Sequence, residues 1–388
     1  MIVGLIEIMP LGHYTLVDSI SRIYLSNEAN KVVLFINEKG SENALALQKE
    51  FGERLIIKIK KEEESVERFL EKINQEKLDA AYIVTLEKYF TEIEKVKFSF
   101  PIYFVVHNLE AWFSLSLKTS FYNFLSGIRA GRNIPYLIKS NFIFPFQKKK
   151  LLQKFIASDS TFVVLNSFLK EELKKKSNLK KVISLPFSVY LPSLQNKQII
   201  KSKIRITIPG IVDSTRRDYI SVLNILEQEK ESFKNSIELE LLGPLKSNES
   251  NKEISKKIQE LNRNGVTVIS YPDQYIPMEE YDTKLVQADL ILGNLNVAVN
   301  KYSTYGKTKE SGTAFAMIRV AKPGLLPLAY QTMDELKSST INFKSYDDLK
   351  NILLDLVKDK ERLKTLTVEA QKNAEMFSPE KIYKELHF

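Results

Sequence analysis

The chain has 388 residues, of which 44% are hydrophobic and 27% are charged, and it contains no cysteine. This composition is that of a folded globular protein, and the length favours two domains over one. The lack of cysteine excludes disulfides, thiolate zinc sites and cysteine nucleophiles, and it fits a reducing cytosol. The three histidines are His13, His107 and His387, and we predict no metal site from them.

The first residues, MIVGLIEIMPLGH, do not have the pattern of a secretion signal. A signal peptide begins with basic residues and has an unbroken apolar core, whereas this start is uncharged and Glu7 interrupts the apolar run. No stretch approaches the ~18 consecutive apolar residues of a membrane span. The sequence therefore predicts a cytoplasmic protein.

Short apolar runs alternate with helical patterns from the first residue. Strands are predicted over 2–8, 32–36, 55–59, 80–84, 102–106, 162–165 and 182–185, with helices between them, such as 14–25 and 167–176. Nearly continuous apolar strands that alternate with helices are typical of a parallel sheet covered on both faces. We therefore predict a first α/β domain over 1–188, doubly wound and Rossmann-like.

Two loops of this domain carry a histidine directly after a predicted strand. The first, MPLGHYTLVDSI, contains Gly12 and His13, and the second, FVVHNLEAWF, contains His107 and Asn108. A neutral imidazole can take a proton from an acceptor hydroxyl or hydrogen-bond a phosphate. A histidine that caps a helix or strand would explain either one alone, whereas the two together favour function. The sequence leaves open which of the two is nearer the chemistry.

Positive charge is concentrated in one segment of the first domain. The net charge is +9, yet residues 1–110 sum to −4, while residues 111–158 hold eight basic side chains, ten aromatic ones and no acidic one. Such a surface suits anionic lipid headgroups, with aromatic rings entering the interface. The predicted membrane contacts are Phe144, Phe146, Lys148, Lys149 and Lys150. Two alternatives are aromatic residues buried in a core beside solvated lysines and, less favoured, a nucleic-acid surface.

A proline-containing polar stretch, PFSVYLPSLQNKQIIKSK, separates this series from a second one, and we predict a linker over 189–202. Further strands are predicted over 204–208, 237–242, 266–269 and 290–292, with helices over 216–229, over 249–263 and from 311. This second doubly wound domain is predicted over 203–375, followed by a terminal helix over 376–388. Because ligands bind beyond the carboxyl ends of such strands, the loops there are the places to seek chemistry.

The first loop of the second domain, in ITIPGIVDSTRRDYI, follows a strand that is predicted to end at Gly210. Arg216 and Arg217 come just as the next helix is predicted to begin, and the planar fork of arginine suits phosphate oxygens. We expect at most one of the two to reach a ligand, the other being surface charge. A second loop, in ELELLGPLKS, follows a strand predicted to end at Gly243.

The loop YSTYGKTKESGTAFAMIRVAKPGLLP contains a Gly-Lys-Thr tripeptide but is not a P-loop, because the glycine required five residues earlier is Lys301. It offers hydroxyls, charge and free backbone N–H groups where a helix begins, a combination that suits a diphosphate. We assign Glu310 to a neutral hydroxyl pair such as a ribose, since phosphate would repel it. An ordinary helix cap with solvated lysines is the alternative. The donor-binding candidates in this loop are Thr308, Lys309, Glu310, Ser311, Gly312 and Thr313.

Several segments resemble the GT-B glycosyltransferases, particularly glycosyltransferase family 4 and its relatives. SDSTFVVLNSFLKEELKK resembles the end of their first domain, IPGIVDSTRRDY their loop with a basic donor-phosphate residue, and YIPMEEYDTKLVQADLIL the helix and strand before the donor site. YGKTKESGTAFAMIRVAKPGLLP stands at the donor-binding signature, and FSPEKIYKEL resembles the terminal helix. Family 4 enzymes carry two glutamates separated by seven residues, whereas no Glu occurs here between Glu310 and Glu335.

The resemblance implies two doubly wound Rossmann-like domains that face a central cleft, with the terminal helix crossing back to the first domain. It implies transfer of a sugar from a nucleotide diphosphate donor, UDP- or GDP-linked, to a hydroxyl of a glycan or lipid-linked glycan in bacterial envelope polysaccharide synthesis. Glu310 matches the donor pocket, Gly12 and His13 match the first-loop position of a glycine turn or catalytic base, and His107 matches a histidine that contacts the donor sugar. No metal or further cofactor is implied.

In this scheme His13, His107 and Glu310 are the catalytic candidates, Gly12 and Asn108 lie on the acceptor side, and the enzyme is cytoplasmic and peripheral on the inner membrane face. The partners expected are a nucleotide sugar, a glycan or lipid-linked acceptor and an anionic membrane, but no nucleic acid. Two alternatives use the same fold. One is a nucleotide-sugar epimerase or a phosphorylase, although the chain shows no motif for the lysine-bound cofactor that a phosphorylase needs. The other is a non-catalytic membrane-binding module.

Overall fold

The computed structural model describes residues 1–9, 13–113, 120–121, 124–125, 128, 133–197, 203–300 and 303–386. Its contacts divide the chain into two units, one formed by Met1–Phe187 with the chain from Tyr383, the other by Ser188–Ile382. Within the second unit, Leu191 donates its backbone N–H to the carbonyl of Arg319, so the start of the predicted linker packs on this unit.

The strands described in the first unit form one parallel sheet in the order β3-β2-β1-β4-β5-β6-β7. Their sequences are apolar on both faces, as expected for a sheet covered by helices on each side. The order changes direction between β1 and β4, which makes this the switch point of the sheet. The strands are β1 (Ile2–Glu7), β2 (Lys31–Asn37), β3 (Leu55–Lys60), β4 (Ala80–Ile83), β5 (Ile102–Val105), β6 (Thr161–Val164) and β7 (Val182–Ser184).

Helices of the first unit form where the apolar spacing predicts them. The first helix buries Leu16, Ile20 and Ile23 against the sheet, and the helix Ser167–Lys176 begins where Asn166 accepts a hydrogen bond from the Leu169 N–H at 2.8 Å. The described helices are α1 (Tyr14–Leu25), α2 (Ser41–Phe51), α3 (Val66–Gln75), α4 (Phe90–Lys95), α5 (Glu110–Phe113), α6 (Ile134–Ile138), α7 (Phe144–Ala157) and α8 (Ser167–Lys176).

The second unit has its own parallel sheet, in the order β10-β9-β8-β11-β14-β15 among the described strands. Numbered from its first strand, this is the order 3-2-1-4-5-6 of a Rossmann sheet, with its switch point between β8 and β11. A short antiparallel pair, β12 with β13, stands apart from it. The strands are β8 (Ile204–Pro209), β9 (Ile237–Leu245), β10 (Thr267–Pro272), β11 (Leu290–Leu292), β12 (Ala298–Asn300), β13 (Ser303–Thr304), β14 (Gly324–Pro327) and β15 (Thr340–Phe343).

Helices of the second unit pack an apolar face on this sheet, and the core is formed by residues such as Leu239, Leu290 and Leu353. The described helices are α9 (Tyr219–Gln228), α10 (Lys230–Phe233), α11 (Lys252–Arg263), α12 (Met278–Leu285), α13 (Gly312–Val320), α14 (Tyr346–Lys358), α15 (Lys360–Glu375) and α16 (Pro379–Glu385). Near the chain end, Tyr383 lies edge-on to Tyr24. The prediction of two doubly wound α/β sheets is confirmed.

Several element boundaries differ from the sequence prediction, and two of them follow from particular hydrogen bonds. The strand expected to stop at Gly243 continues to Leu245, because the carbonyl of Pro244 accepts the Val212 N–H at 3.1 Å and keeps the chain paired. The helix expected from 216 begins instead at Tyr219, because Asp218 accepts the Ser221 N–H at 3.0 Å and acts as the cap.

Candidate functional site

A cavity of about 250 Å³ opens at the switch point of the second sheet, between the carboxyl ends of β8 and β11. This is the position at which doubly wound sheets bind their ligands. The lining is partly charged and partly apolar. It consists of Pro209, Gly210, Ile211, Asp213, Arg216, Arg217, Tyr281, Leu295, Tyr305, Glu310, Ser311 and Gly312.

The turn after β8 depends on two glycines. Gly210 has a φ of +97°, a backbone conformation that side chains disfavour, and its carbonyl faces Gly243 of the neighbouring strand. A Cβ at Gly243 would lie 2.2 Å from that oxygen, so β9 can approach the turn only because position 243 has no side chain. Gly210 thus lines the cavity, whereas Gly243 supports the turn from behind.

The two arginines of this loop have different surroundings. Arg216 donates from Nε to Asp213 at 2.6 Å and is half-exposed in the cavity wall. Arg217 donates from its guanidinium to the carbonyl of Pro209, which ties it to the end of β8. Partial burial alone would raise the pKa of Asp213, but hydrogen bonds from Thr215 and Arg216 outweigh it and lower that pKa. Both arginines line the cavity, Arg216 half-exposed and Arg217 tied to the end of β8, and a ligand contact from either stays a prediction.

The Gly-Lys-Thr tripeptide forms a turn that closes on itself. The Thr308 hydroxyl accepts the Thr304 N–H at 2.9 Å and donates to the Thr304 carbonyl at 3.1 Å, and the N–H of Gly306 reaches the Lys309 carbonyl at 2.8 Å. The Lys309 ammonium lies 4.2 Å from the centre of the Tyr305 ring. Thr308 and Lys309 therefore stand beside the cavity rather than in its wall, and direct donor contacts from them stay a prediction.

Helix α13 begins at the wall of the cavity. Ser311 caps it, accepting the Thr313 N–H at 3.2 Å, and Thr313 is itself fully buried beneath the first turn. Gly312 holds the first helical position, where a backbone N–H has no acceptor within the helix, and it lines the cavity. Glu310 accepts the Ser311 N–H at 2.7 Å and a hydrogen bond from the Tyr330 hydroxyl. This end of the cavity thus offers an N–H donor, the positive helix end and one oriented carboxylate.

The first unit brings a second group of polar side chains together at its own switch point. Glu7 ends β1, Thr85 follows β4, and His107 follows β5, so their side chains meet at the carboxyl edge of the sheet. His13 stands before α1, and its side chain does not cap that helix. Its Nδ1 lies 2.9 Å from the Thr85 hydroxyl oxygen, and its ring stacks on that of His107 with centroids 4.1 Å apart.

Burial shapes the ionisation of this cluster. Desolvation lowers the pKa of His13. Desolvation together with the neighbouring His13 ring lowers the pKa of His107 to about 3, despite a hydrogen bond from its Nε2 to the Val84 carbonyl. Desolvation raises the pKa of Glu7 to about 7, although the hydrogen bonds that Glu7 accepts from Thr85, Met9 and His13 each lower that pKa. Both imidazoles are therefore neutral near pH 7, where Glu7 titrates.

The two acceptor-side candidates are placed differently. Asn108 follows His107 and accepts the Glu110 N–H at 3.1 Å, so it begins α5 and has a local structural use. Gly12 lies outside the described residues. Any contact of either residue with an acceptor stays a prediction.

The five predicted membrane contacts divide by their orientation. Phe146 is 73% exposed, and Lys149 and Lys150 are exposed beside it. Phe144 and Lys148 turn inward, since the Phe144 ring lies edge-on to Phe90 at 5.2 Å and the Lys148 ammonium lies 5.4 Å from the centres of both the Phe90 and the Trp112 ring. Other exposed apolar side chains of this segment, residues 133–146, are Ile134, Tyr136, Ile138, Phe142 and Ile143.

No described helix combines the length and the apolar character needed to cross a membrane. No three His, Asp or Glu side chains in the described ranges are grouped so that they could hold a metal ion. The cytoplasmic location and the independence from metal stay predictions.

Several residues of the cavity in the second unit and of the histidine cluster in the first are not predicted from the sequence. Thr85 and Tyr330 carry no local signal, because they reach His13 and Glu310 only through the fold. Asp213 and Tyr305 have partners within four residues of the chain, in Arg216 and Lys309. Glu7 did carry one, since a carboxylate inside an otherwise apolar strand must either find partners or serve a function. Its position in the sequence alone indicates only that the apolar run is interrupted.

Comparisons with known proteins place the fold. No protein-family profile matches the sequence, and no curated protein matches it significantly. HepE from Anabaena, solved in complex with UDP and glucose, is similar in structure with a TM-score of 0.61 and 11% identity over 99% of this chain and 97% of that one. A glycosyltransferase from Rickettsia africae is similar in structure with a TM-score of 0.59 and 10% identity, over 99% of this chain and 96% of that one.

A third similar structure is UGT2 of Phytolacca americana, complexed with UDP-2-fluoro-glucose and pterostilbene, with a TM-score of 0.51 and 9% identity over 99% of this chain and 98% of that one. These likenesses extend over nearly the whole length of each protein. The chain therefore has the GT-B fold of these glycosyltransferases. Membership of glycosyltransferase family 4 stays a prediction.

Proposed function

We propose that this protein is a glycosyltransferase that moves a sugar from a UDP- or GDP-linked donor to a hydroxyl of a glycan or lipid-linked glycan acceptor. The reaction would serve polysaccharide synthesis of a bacterial cell envelope. The observation that carries the proposal is the cavity at the switch point of the second sheet, where Arg216 and the first turn of α13 converge. Similar structures hold UDP, or UDP-2-fluoro-glucose, which supports a nucleotide sugar as the ligand.

The cavity has the groups that a departing diphosphate requires. Sugar transfer breaks the bond between the sugar and the diphosphate, so negative charge grows on the phosphate oxygens. The Arg216 fork and the free N–H of Gly312 at the positive end of α13 supply fixed donors for that charge. Lys309 stands beside them, held over the Tyr305 ring, and adds longer-range attraction.

The other walls suit the rest of a nucleotide. The Glu310 carboxylate is oriented by the Ser311 N–H and the Tyr330 hydroxyl, and it can accept hydrogen bonds from a ribose or sugar hydroxyl pair. Tyr281 and Leu295 offer an aromatic and an aliphatic surface to the base. The hydroxyl pair would therefore bind next to Glu310 and the diphosphate away from it, since the carboxylate attracts hydroxyl groups and repels phosphate.

The acceptor hydroxyl must lose its proton as the new glycosidic bond forms. We assign this proton to the first unit, where His13 and His107 lie at the carboxyl edge of the sheet and are both neutral near pH 7 because burial lowers their pKa values. A neutral imidazole is the form that can accept a proton.

We further propose that the enzyme works in the cytoplasm on the membrane face, held there by the segment around Phe146. The exposed aromatic ring, the neighbouring Ile143 and the exposed side chains of Lys149 and Lys150, the latter paired with Glu94 at 3.2 Å, combine apolar and basic groups, as anionic lipid interfaces require. Lys148 and Phe144 would act indirectly, by packing the helix that presents these side chains.

The experiment is thermal unfolding of the pure protein against UDP, GDP, CDP, ADP and dTDP. A diphosphate at ~100 times its dissociation constant stabilises the fold by about 2.7 kcal/mol, which raises Tm by a few degrees. Arg216→Ala should abolish the shift. Lys234→Ala, which breaks a comparable surface pair with Glu231 on the same unit, should keep it. A well-folded protein that no diphosphate stabilises would overturn the donor site.

A further inference from the structure

We infer that Glu7 and Thr85 form a proton relay with His13, through which the proton of the acceptor hydroxyl passes from the imidazole to a carboxylate buried in the first sheet. This inference rests on the proposed transfer reaction and names the group that receives the proton. Glu7 and Thr85 do not touch the acceptor in this scheme; they act through His13.

The first observation is a buried carboxylate without a cation. Glu7 is fully buried at the end of β1, and no Lys or Arg pairs with it among the described residues. Its oxygens accept the N–H groups of Met9 and His13, each at 3.3 Å, and the hydroxyl of Thr85. Burying a carboxylate in this way costs stability, and groups buried at such a cost cluster at functional sites.

The second observation is the direction of the hydrogen bonds. Since Glu7 can only accept when ionised, the Thr85 hydroxyl donates to it. The Thr85 oxygen then accepts from His13 Nδ1 at 2.9 Å, so His13 carries its proton on Nδ1. Its Nε2 therefore has a lone pair, and it has no hydrogen-bond partner among the residues that the structure describes. Hydroxyl, imidazole and carboxylate thus form a continuous chain of donors and acceptors.

The third observation separates the two histidines. His107 donates from Nε2 to the Val84 carbonyl at 2.8 Å, which fixes the other tautomer and occupies the nitrogen that His13 leaves available. Its ring lies against that of His13, and Phe187 closes the other side edge-on at 5.5 Å from the His13 ring. His107 and Phe187 thus hold the His13 ring in the plane that the Thr85 hydrogen bond requires. His13 is the proton acceptor, and His107 is a positioning residue.

The acceptor oxygen bonds to the sugar carbon while the bond from that carbon to the diphosphate breaks and its electron pair leaves with the phosphate. The hydroxyl proton moves to His13 Nε2, the Nδ1 proton moves to the Thr85 oxygen, and the Thr85 proton moves to the Glu7 carboxylate. After product release the protons return along the same path to solvent.

The ionisation of the cluster agrees with this direction of flow. Burial raises the pKa of Glu7 to about 7, so a large fraction is ionised at neutral pH and can still take a proton readily. The other titratable groups acting on the cluster are Glu87, whose charge adds to the rise at Glu7, and His107, which stays neutral because burial lowers its pKa to about 3. Activity should therefore rise with pH through about 7 in the wild type.

The test uses the full chain with Glu7→Gln, Thr85→Val and Thr85→Ser. The relay predicts that Glu7→Gln and Thr85→Val lower kcat at least about tenfold and remove the rise in activity near pH 7, while Thr85→Ser restores both. Binding of the nucleoside diphosphate should change less than about twofold in all three, since the nucleotide belongs to the other unit. A wild-type kcat and pH profile in Glu7→Gln and Thr85→Val would overturn the relay.

A second readout does not depend on turnover. Nitrogen-15 NMR of the histidine rings distinguishes the two tautomers, and the chain has only three histidines. The relay predicts the Nδ1–H form for His13 and the Nε2–H form for His107. In Thr85→Val, His13 should lose its preference for the Nδ1–H tautomer. An Nε2–H tautomer at His13 in the wild type would overturn the relay even if the protein transfers sugar. A wild type that binds no nucleotide and transfers no sugar would instead overturn the proposed function.

Discussion

The imidazole rings of His13 and His107 lie stacked, with centroids 4.1 Å apart and planes inclined by 18°. A charge on either ring would be poorly solvated, and a charge on both would be repulsive as well. Burial, reinforced by the His13 ring, accordingly lowers the pKa of His107 to about 3. The stack is therefore a neutral pair, and this has a measurable consequence for stability.

His107→Gln should reduce the acid sensitivity of the fold. The unfolded chain binds a proton at His107 below pH ~6.5 and the folded chain does not, so the free energy of unfolding falls as the pH drops below that value. Between pH 6.5 and 5 this group accounts for about 2 kcal/mol of the loss. Urea unfolding of both proteins at the two pH values measures the difference, and parallel losses in the two proteins would contradict the neutral pair.

Glu7→Gln should reduce the loss of stability at high pH, whereas His107→Gln reduces the loss at low pH. The pKa of Glu7 is about 7 in the folded chain against an ordinary value of 4.5, so its stabilising effect is complete below pH 4.5 and is lost as the pH rises through 7. Removing the charge should make the variant gain roughly 3 kcal/mol relative to the wild type between pH 5 and 8. Glu42→Gln, at an exposed position, is the control and should show no such gain.

Gly243→Ala should cost far more than Gly312→Ala. The first adds a Cβ 2.2 Å from the Gly210 carbonyl oxygen, which forces the β8 turn and β9 apart, whereas nothing lies within 4 Å of a Cβ at position 312. We expect a loss of roughly 1–3 kcal/mol for Gly243→Ala and a change below about 1 kcal/mol for Gly312→Ala. Thermal unfolding of the two variants measures this, and equal stabilities would show that the close approach is not required.

Substitution of Arg216 should affect nucleotide binding, whereas substitution of Arg217 should affect the free energy of unfolding. Arg217→Ala removes the donor to the Pro209 carbonyl and should lower the free energy of unfolding by roughly 1–3 kcal/mol. Arg216→Lys keeps the charge but loses the planar fork, so it should weaken nucleotide binding while leaving the unfolding free energy within about 0.5 kcal/mol. Calorimetric titration and urea unfolding on both variants test the division, and a reversed pattern would contradict it.

The membrane proposal makes its own prediction. The triple variant Phe146→Ser, Lys149→Gln, Lys150→Gln should lose most of its binding to vesicles that contain anionic lipid. Its Tm should change little, because all three side chains are exposed and the surface ion pair of Lys150 with Glu94 contributes little to stability. The control removes two lysines of α8, Lys174→Gln with Lys175→Gln, which lie elsewhere on the same unit. Equal vesicle sedimentation of both variants would show that the segment around Phe146 is not the contact.

Much of the fold could be predicted because the apolar periodicity is strong. Helix α1 has the predicted bounds, and strand β11 does as well. The errors arise where one side chain redirects the backbone. Asp213 accepts hydrogen bonds from Thr215 and Arg216 and delays the next helix, and Pro244 continues a strand through its carbonyl although it has no N–H to donate.

The candidate site could be predicted only in part. Gly210, Arg216, Glu310 and Gly312 were recognisable because each follows a strand or begins a helix in the second unit. The sequence could not pair Glu7 with Thr85, since they are 78 positions apart and meet only because β1 and β4 are neighbours in the sheet. Strand order, rather than any local motif, brings those two side chains together.

The most direct test of the central claim is to incubate the protein with a panel of UDP- and GDP-sugars and a bacterial glycan and lipid extract, and to follow the nucleotides by chromatography. The proposed function predicts release of the nucleoside diphosphate from one donor, at a rate that saturates with that donor and is lost in Arg216→Ala. Conversion of a donor into an isomer without release would identify an epimerase instead. Nucleotide binding with every donor left intact would contradict sugar transfer and leave a binding protein.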